Sequence, residues 1–228
     1  MAKKSNKSSI NITIESYRLA YTQYGDIWEG SDEDYFNPAT NFLIHSLPEG
    51  SLILDQGCGT GYLILRCAMR GHSIEGFDIS PEAIELCRRR FAEKNIDSSI
   101  VKLLIQDLRD FEYPKTHYNG IIDYYTLHHF PKSFQKVIIR KIYHALKPSG
   151  LFLLGMFSKA QFPKTTPLIS TTKDGGVSVP FKYGRRVFYL WDTNHLESFI
   201  ESTGFRLILT YRGVKYHSCE IICQKTAD

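Results

Sequence analysis

No stretch of the 228 residues approaches the roughly 20 consecutive apolar residues that a membrane-spanning helix needs, so a transmembrane protein is not expected. The opening Ala2-Lys3-Lys4-Ser5-Asn6-Lys7-Ser8-Ser9 has no apolar run behind it and reads as a frayed basic tail, not a secretory signal. Five cysteines are present (Cys58, Cys67, Cys87, Cys219 and Cys223), but they form no C-x-x-C pair and no Cys/His spacing of the zinc-binding kind. Neither a bound metal nor a disulfide framework is expected, and the reduced thiols suit the cytoplasm. A large excess of one charge is also missing. Lysine and arginine number 28 against 24 acidic residues, a formal charge of +4. The densest basic run, Arg88-Arg89-Arg90, falls on a helical stretch rich in glutamate and reads as a solvated face. A nucleic-acid partner is therefore not expected. No internal repeat appears, and the length fits one domain.

What the chain does have is an alternation of short apolar runs with amphipathic stretches. Residues 10–36 are rich in tyrosine, with Tyr17, Tyr21 and Tyr24 at helical spacing and Trp28 four further on. Residues 39–46 read as a short helix. Strands are expected at 51–55, 73–78, 100–105, 119–124 and 151–157, with helices at 62–70, 81–94 and 134–146 between them. Ser80-Pro81 supplies an N-cap and a proline at the first helical position. Strands that alternate with helices imply right-handed crossovers and a parallel sheet. Residues 158–190 break the beat with Pro163, Pro167, Pro180 and the turn Lys173-Asp174-Gly175-Gly176, as a hairpin or flap would. A helix over 195–203 and two strands, 205–211 and 218–224, close the chain.

The central motif is Asp55-Gln56-Gly57-Cys58-Gly59-Thr60-Gly61, between a strand and a helix. Glycines there let the backbone turn sharply and approach a ligand, at the strand ends where open α/β sheets bind ligands. Asp55 sits beside them. An adjacent anion would repel a pyrophosphate, whereas an amino group or cationic centre would be held by it. Asp78 ends the second strand, where an acidic side chain can hold two ribose hydroxyls. Asp107, after the third strand, is placed to accept from an adenine amine. S-adenosylmethionine has these three parts and no phosphate.

These residues resemble the class I S-adenosylmethionine-dependent methyltransferases over about residues 50–157. Leu52-Ile53-Leu54-Asp55-Gln56-Gly57-Cys58-Gly59-Thr60-Gly61 is similar to the family's first motif, and Glu75-Gly76-Phe77-Asp78-Ile79-Ser80 to its second. Gln106-Asp107-Leu108 resembles the adenine contact, residues 118–130 the fourth-strand motif, and Leu146-Lys147-Pro148-Ser149-Gly150-Leu151 the turn before the fifth strand. The resemblance implies a Rossmann-like, seven-stranded, mostly parallel sheet with helices on both faces and the last strand antiparallel. It implies S-adenosylmethionine as cofactor, with Asp55, Gly57, Cys58, Gly59, Gly61, Asp78, Ile79, Asp107, Leu108 and Tyr124 as its contacts. In that frame residues 1–9 are a tail, 10–46 an N-terminal lid, 50–157 the cofactor-binding core, 158–190 a substrate flap and 191–228 the closing helix and strand pair.

Methyl transfer needs alignment above all, and a hydroxyl acceptor also needs a base. His128 and His129, past the fourth strand, are the candidates, His128 first; a structural loop anchor is the competing reading. Tyr17, Tyr21, Tyr24, Trp28, Tyr125, Tyr183, Arg186 and Trp191 are the expected substrate contacts, since rings can stack on an acceptor or face a cation. The expected partner is a small molecule, with an oxygen or nitrogen as the accepting atom, and the chain a monomer or homodimer. An RNA or protein methyltransferase of the same fold and a nicotinamide-dependent oxidoreductase are the alternatives. Against the second, G-x-G-x-G replaces the G-x-G-x-x-G of dinucleotide sites.

Overall fold

The structure, a computed structural model, describes residues 8–27, 38–158, 169–213 and 218–227. Two helices, α1 (Ser9–Tyr24) and α2 (Pro38–Ser46), precede the alternating core. There follow β1 (Leu52–Gln56), α3 (Tyr62–Ala68), β2 (Ser73–Asp78), α4 (Pro81–Glu93), β3 (Val101–Ile105), β4 (Tyr118–Tyr124), α5 (Lys132–Ala145) and β5 (Leu146–Phe157). Three short strands, β6 (Ser170–Thr171), β7 (Val177–Phe181) and β8 (Gly184–Phe188), form a separate small sheet. The chain closes with α6 (Thr193–Ser202), β9 (Phe205–Gly213) and β10 (Ser218–Lys225).

The main sheet has seven strands in the order β3-β2-β1-β4-β5-β10-β9. β10 runs antiparallel to both β5 and β9, and the other pairings are parallel. This is the Rossmann-like arrangement expected from the sequence. Its central strands are buried on both faces, which is why they read as unbroken apolar runs rather than alternating ones. Neighbouring residues go to opposite sides. Ile121, Leu154 and Ile221 join Ile138, Ile142, Leu196 and Ile200 of α5 and α6 on one face. Ile122, Leu153 and Ile222 join Leu43, Ile64 and Phe91 of α2, α3 and α4 on the other. The order reverses between β1 and β4, opening a crevice beyond their carboxyl ends.

Three details differ from expectation. β5 starts at Leu146, which pairs with Tyr118 before the register shifts, so the turn around Ser149 (φ 61°) is a kink within the strand and not its boundary. The small sheet has two turns. Thr172 to Gly176 closes β6 on β7 through hydrogen bonds of 2.8 and 3.1 Å, and a second, unexpected turn at Lys182 and Tyr183 leads through Gly184 (φ 126°) into β8. Finally, α2 is a core helix more than a lid: Ala39, Leu43 and Ile44 are buried against the sheet, and only Pro38 reaches the crevice. α1 does cover it, docked on the small sheet where Val187 N–H donates to Thr13 Oγ1 at 2.9 Å.

Candidate active site

The glycine turn between β1 and α3 is fixed by backbone conformation and by lack of room. Gly57, Gly59 and Gly61 have φ of 73°, 53° and 81°, which side-chain-bearing residues rarely adopt. A Cβ on Gly57 would lie 2.0 Å from Thr126 Oγ1, and one on Gly61 2.3 Å from Cys87 Sγ. The Gly57 and Cys58 N–H groups donate to Phe77 O at 2.7 and 2.9 Å, tying the turn to β2. Asp78 completes the tie. Its Oδ2 accepts from Gly59 N–H at 3.0 Å and its Oδ1 from Ser80 N–H at 2.9 Å. Burial pushes this carboxyl up, against the pull of those backbone donors.

Asp55 is different. It is 3% exposed, and its Oδ1 has no hydrogen-bond partner among the described residues. Burial, then the charges of Asp123 and Asp78, push its pKa well above the usual carboxylate range. A buried, unpartnered carboxylate oxygen is costly, and a ligand cation is what such a site fits. Asp107 is more committed: its oxygens accept from Arg109 N–H at 2.8 Å and from the guanidinium at 2.5–3.0 Å. Burial raises it, but those donors and the Arg109 charge prevail and hold it below the usual range.

All of these groups line one cavity of about 610 Å³. It runs from Asp78, Ile79, Asp107 and Leu108 past the turn, Cys58 and Tyr124, to a second chamber walled by α1, β8 and β10. Ile10, Ile14, Tyr17 and Tyr21 present one helical face of α1 to it. Residues 53–150 match the model of the methyltransferase-domain family. Over that segment, a little under half of its length, the chain is similar to the methyltransferase domain whose motifs it resembles. Among its relatives is the 2-heptyl-1-hydroxyquinolin-4(1H)-one methyltransferase of Mycobacteroides abscessus, 31% identical over 49% of this chain and 48% of that protein. The chain thus spans about half the length of that relative and of a putative methyltransferase of Bacillus subtilis, 28% identical over 56% of this chain and 51% of that protein. In fold it resembles the 1,6-didemethyltoxoflavin-N1-methyltransferase of Burkholderia thailandensis, whose structure holds 1,6-didemethyltoxoflavin and S-adenosylhomocysteine. The TM-score is 0.69 at 17% identity, covering 99% of this chain and 93% of that one.

The expected cofactor contacts all face this cavity. Of the expected acceptor contacts, Tyr17, Tyr21, Tyr125 and Arg186 line the second chamber. Trp28 lies outside the described residues. Tyr24, Tyr183 and Trp191 are not in the lining. Tyr24 and Tyr183 pack on each other at 4.3 Å, with Lys182 over both rings. Trp191 is a core residue: it stacks on Phe199 and donates its indole N–H to Gln135 Oε1 at 2.6 Å. Helical spacing carried Tyr24 one step past the face that looks inward, and Trp191 was assigned by residue type alone.

The histidine pair lines the chamber, but its nitrogens are engaged. Phe157 N–H donates to His128 Nδ1 at 3.3 Å, which puts the proton on Nε2, and that N–H points at His129 Nε2, 3.2 Å away. His129 donates from Nδ1 to Val187 O at 2.8 Å, and its Nε2 also receives the Tyr17 hydroxyl at 3.2 Å. Neither ring keeps a free lone pair. Burial drives both down, His128 well below its ordinary value and His129 to about 3, and the Arg186 charge adds to it. The expectation of a catalytic base here gives way to the loop-anchor reading: the rings bolt α1, the β4 loop and β8 together.

Two residues escaped the sequence reading. Glu220 of β10 is 1% exposed and lines the chamber; Tyr125 O–H donates to its Oε1 at 2.7 Å, and its Oε2 has no partner among the described residues. Burial raises its pKa against the pull of neighbouring hydroxyls. A charge inside the run Ser218-Cys219-Glu220-Ile221-Ile222-Cys223 was the available signal. Arg90, read as part of a solvated face, instead bonds Asp26 and the Thr60 carbonyl, while Thr60 Oγ1 donates to Asp26 at 3.1 Å. It fastens the end of α1 to the glycine turn.

Proposed function

We propose that this chain binds S-adenosylmethionine along the ends of β1, β2 and β3 and transfers its methyl group to an oxygen or nitrogen of a small-molecule acceptor in the second chamber. The observation that carries this reading is Asp55, a buried carboxylate with an unpartnered oxygen beside a turn that admits only glycine. The residues fit the cofactor: Asp55 would hold its amino group, Asp78 the ribose hydroxyls and Asp107 the adenine amine. Bound there, it supplies a methyl carbon already activated by a sulfonium, which leaves with the carbon–sulfur electron pair. The acceptors named for two relatives, a hydroxyquinolone and a didemethyltoxoflavin, are small molecules and support that class here.

The protein's own part is to position, to exclude water and to take a proton. Holding acceptor and methyl in line can supply about 7–11 kcal/mol of the barrier. The α1 face and the small sheet wall the chamber with side chains and keep bulk water away. Glu220, a carboxyl in the chamber lining with one oxygen unpartnered among the described residues, would take the proton that an oxygen or nitrogen acceptor has to shed.

Calorimetry of the purified protein with S-adenosylmethionine and, separately, NAD and NADH tests the cofactor. One-site binding of the first and none of the others is expected; no heat with S-adenosylmethionine refutes the reading. A panel of small aromatic hydroxyl and amine compounds, scored by S-adenosylhomocysteine release, then tests the transfer. Glu220→Gln should bind the cofactor normally and release that product about 100-fold more slowly.

A further inference from the structure

The Arg186 guanidinium is buried in the chamber wall at 5% exposure. Among the described residues no aspartate or glutamate forms an ion pair with it. Its Nε donates to Ser16 Oγ at 3.5 Å, and the guanidinium also hydrogen-bonds the Tyr17 hydroxyl. Its faces are covered instead: the Tyr17 ring lies 3.8 Å from its central carbon and the Phe181 ring 4.4 Å. The two rings compensate part of the desolvation of a cation, and the two hydroxyls engage only part of its five N–H groups, which leaves donors for a planar anion. A buried charge without a counter-ion persists where something else supplies the opposite charge in the working complex. The neighbouring arginine shows the contrast. Arg185 turns outward and satisfies itself on Ser178 and Ser170 at 2.8–3.2 Å. The walls around Arg186 are aromatic, with Phe157, Phe181 and Phe188 among them.

We propose that Arg186 is the anchor for a carboxylate or comparable anionic group on the acceptor, so that the acceptor class is a flat aromatic acid. This rests on the methyltransferase reading for the word acceptor, but not for its test. The cofactor's own carboxylate is the competing source of the anion. The placement disfavours it, because Arg186 stands against Tyr17, Phe181 and the histidine pair on the α1 and β8 side, while Asp55 and the glycine turn mark the amino-acid end.

The test uses the full chain with benzoate, 1-naphthoate and their neutral amides as probes, titrated by calorimetry with S-adenosylhomocysteine present and absent. The acids should bind saturably and at least 10-fold more tightly than the amides, and Arg186→Gln should remove that preference while leaving S-adenosylhomocysteine affinity within about 2-fold. Arg186→Lys should retain part of it. Equal binding of acid and amide, or an acid affinity unchanged in Arg186→Gln, overturns the proposal. So does a large loss of S-adenosylhomocysteine affinity in that variant with no acid binding to the wild type, which assigns Arg186 to the cofactor. Should Arg186→Gln fail to fold, the acid-against-amide comparison on the wild type still decides. Absence of cofactor binding alongside a clear acid preference would sink the methyltransferase reading and leave the anion site standing.

Discussion

The cavity's two halves are built on different principles. The cofactor half is made of backbone: three glycines in left-handed conformation, amides bonded to Phe77 O, and carboxylates at the ends of adjacent strands, all between Asp55 and Asp107. The acceptor half is made of side chains that arrive from far apart in sequence, Tyr17 from α1, the histidine pair from the β4 loop, Arg186 from β8 and Glu220 from β10. A half made of backbone tolerates no change at its glycines. A half made of side chains can be rewritten one residue at a time, which is how one fold serves many acceptors.

The sharpest way to break that contrast is to add the same methyl group on each side. Gly57→Ala places a Cβ 2.0 Å from Thr126 Oγ1 at φ 73°, so the turn must shift. S-adenosylmethionine affinity should fall at least 100-fold, with a stability loss of about 2–4 kcal/mol. Gly25→Ala, at the end of α1, has nearly the same φ of 69° but, among the described residues, nothing within 4 Å. It should cost about 1 kcal/mol and leave cofactor binding alone. Paired thermal melts and calorimetry measure both. Equal losses would mean that backbone strain alone, and not the packed turn, governs the site.

The same division explains what could be read from the sequence. Asp55, Gly57, Asp78 and Asp107 sit at fixed offsets around strand ends, so local spacing places them without tertiary knowledge. The parallel sheet followed from the strand–helix beat for the same reason. Glu220 becomes a neighbour of the chamber only when β10 inserts beside β5, a contact that spans a long loop and leaves no periodic trace. Tyr24 and Tyr183 were misassigned on that account: type and spacing named aromatic residues, but which way each ring faces is decided by the docking. The histidine pair lines the cavity, and its engaged lone pairs were invisible until Phe157 N–H and Val187 O had positions.

A second, smaller effect sharpens the cofactor side. The pKa of Asp55 is raised in the free protein, and an ammonium group binds its ionised form, so affinity for S-adenosylmethionine should increase as pH rises and each binding event should release a proton. Asp55→Asn should lower affinity about 10–100-fold, the cost of a charged hydrogen bond at about 1.5–3 kcal/mol, and flatten the pH dependence. Its stability should move the other way. A carboxyl with a folded pKa above its unfolded one loses stability as pH climbs between the two values, and asparagine does not ionise. Calorimetry in buffers of differing ionisation heat reads the proton, and melts at pH 5 and pH 8 read the stability. An unchanged slope in Asp55→Asn would remove Asp55 from the amino-group site.

The smallest effect belongs to the joint between the halves. Tyr17 O–H shares His129 Nε2 with His128, both at 3.2 Å, so Tyr17→Phe leaves that acceptor satisfied by its neighbour. The ring itself remains, so its stacking contact with Arg186 is kept and only the hydroxyl's bond to that guanidinium is lost. The expected loss is therefore at the low end for a buried hydrogen bond, about 0.5–1 kcal/mol, or a few degrees in Tm. S-adenosylmethionine affinity should be unaffected. A cofactor affinity that falls with Tyr17→Phe would show that the histidine joint transmits to the glycine turn, and the two halves would then be one unit and not two.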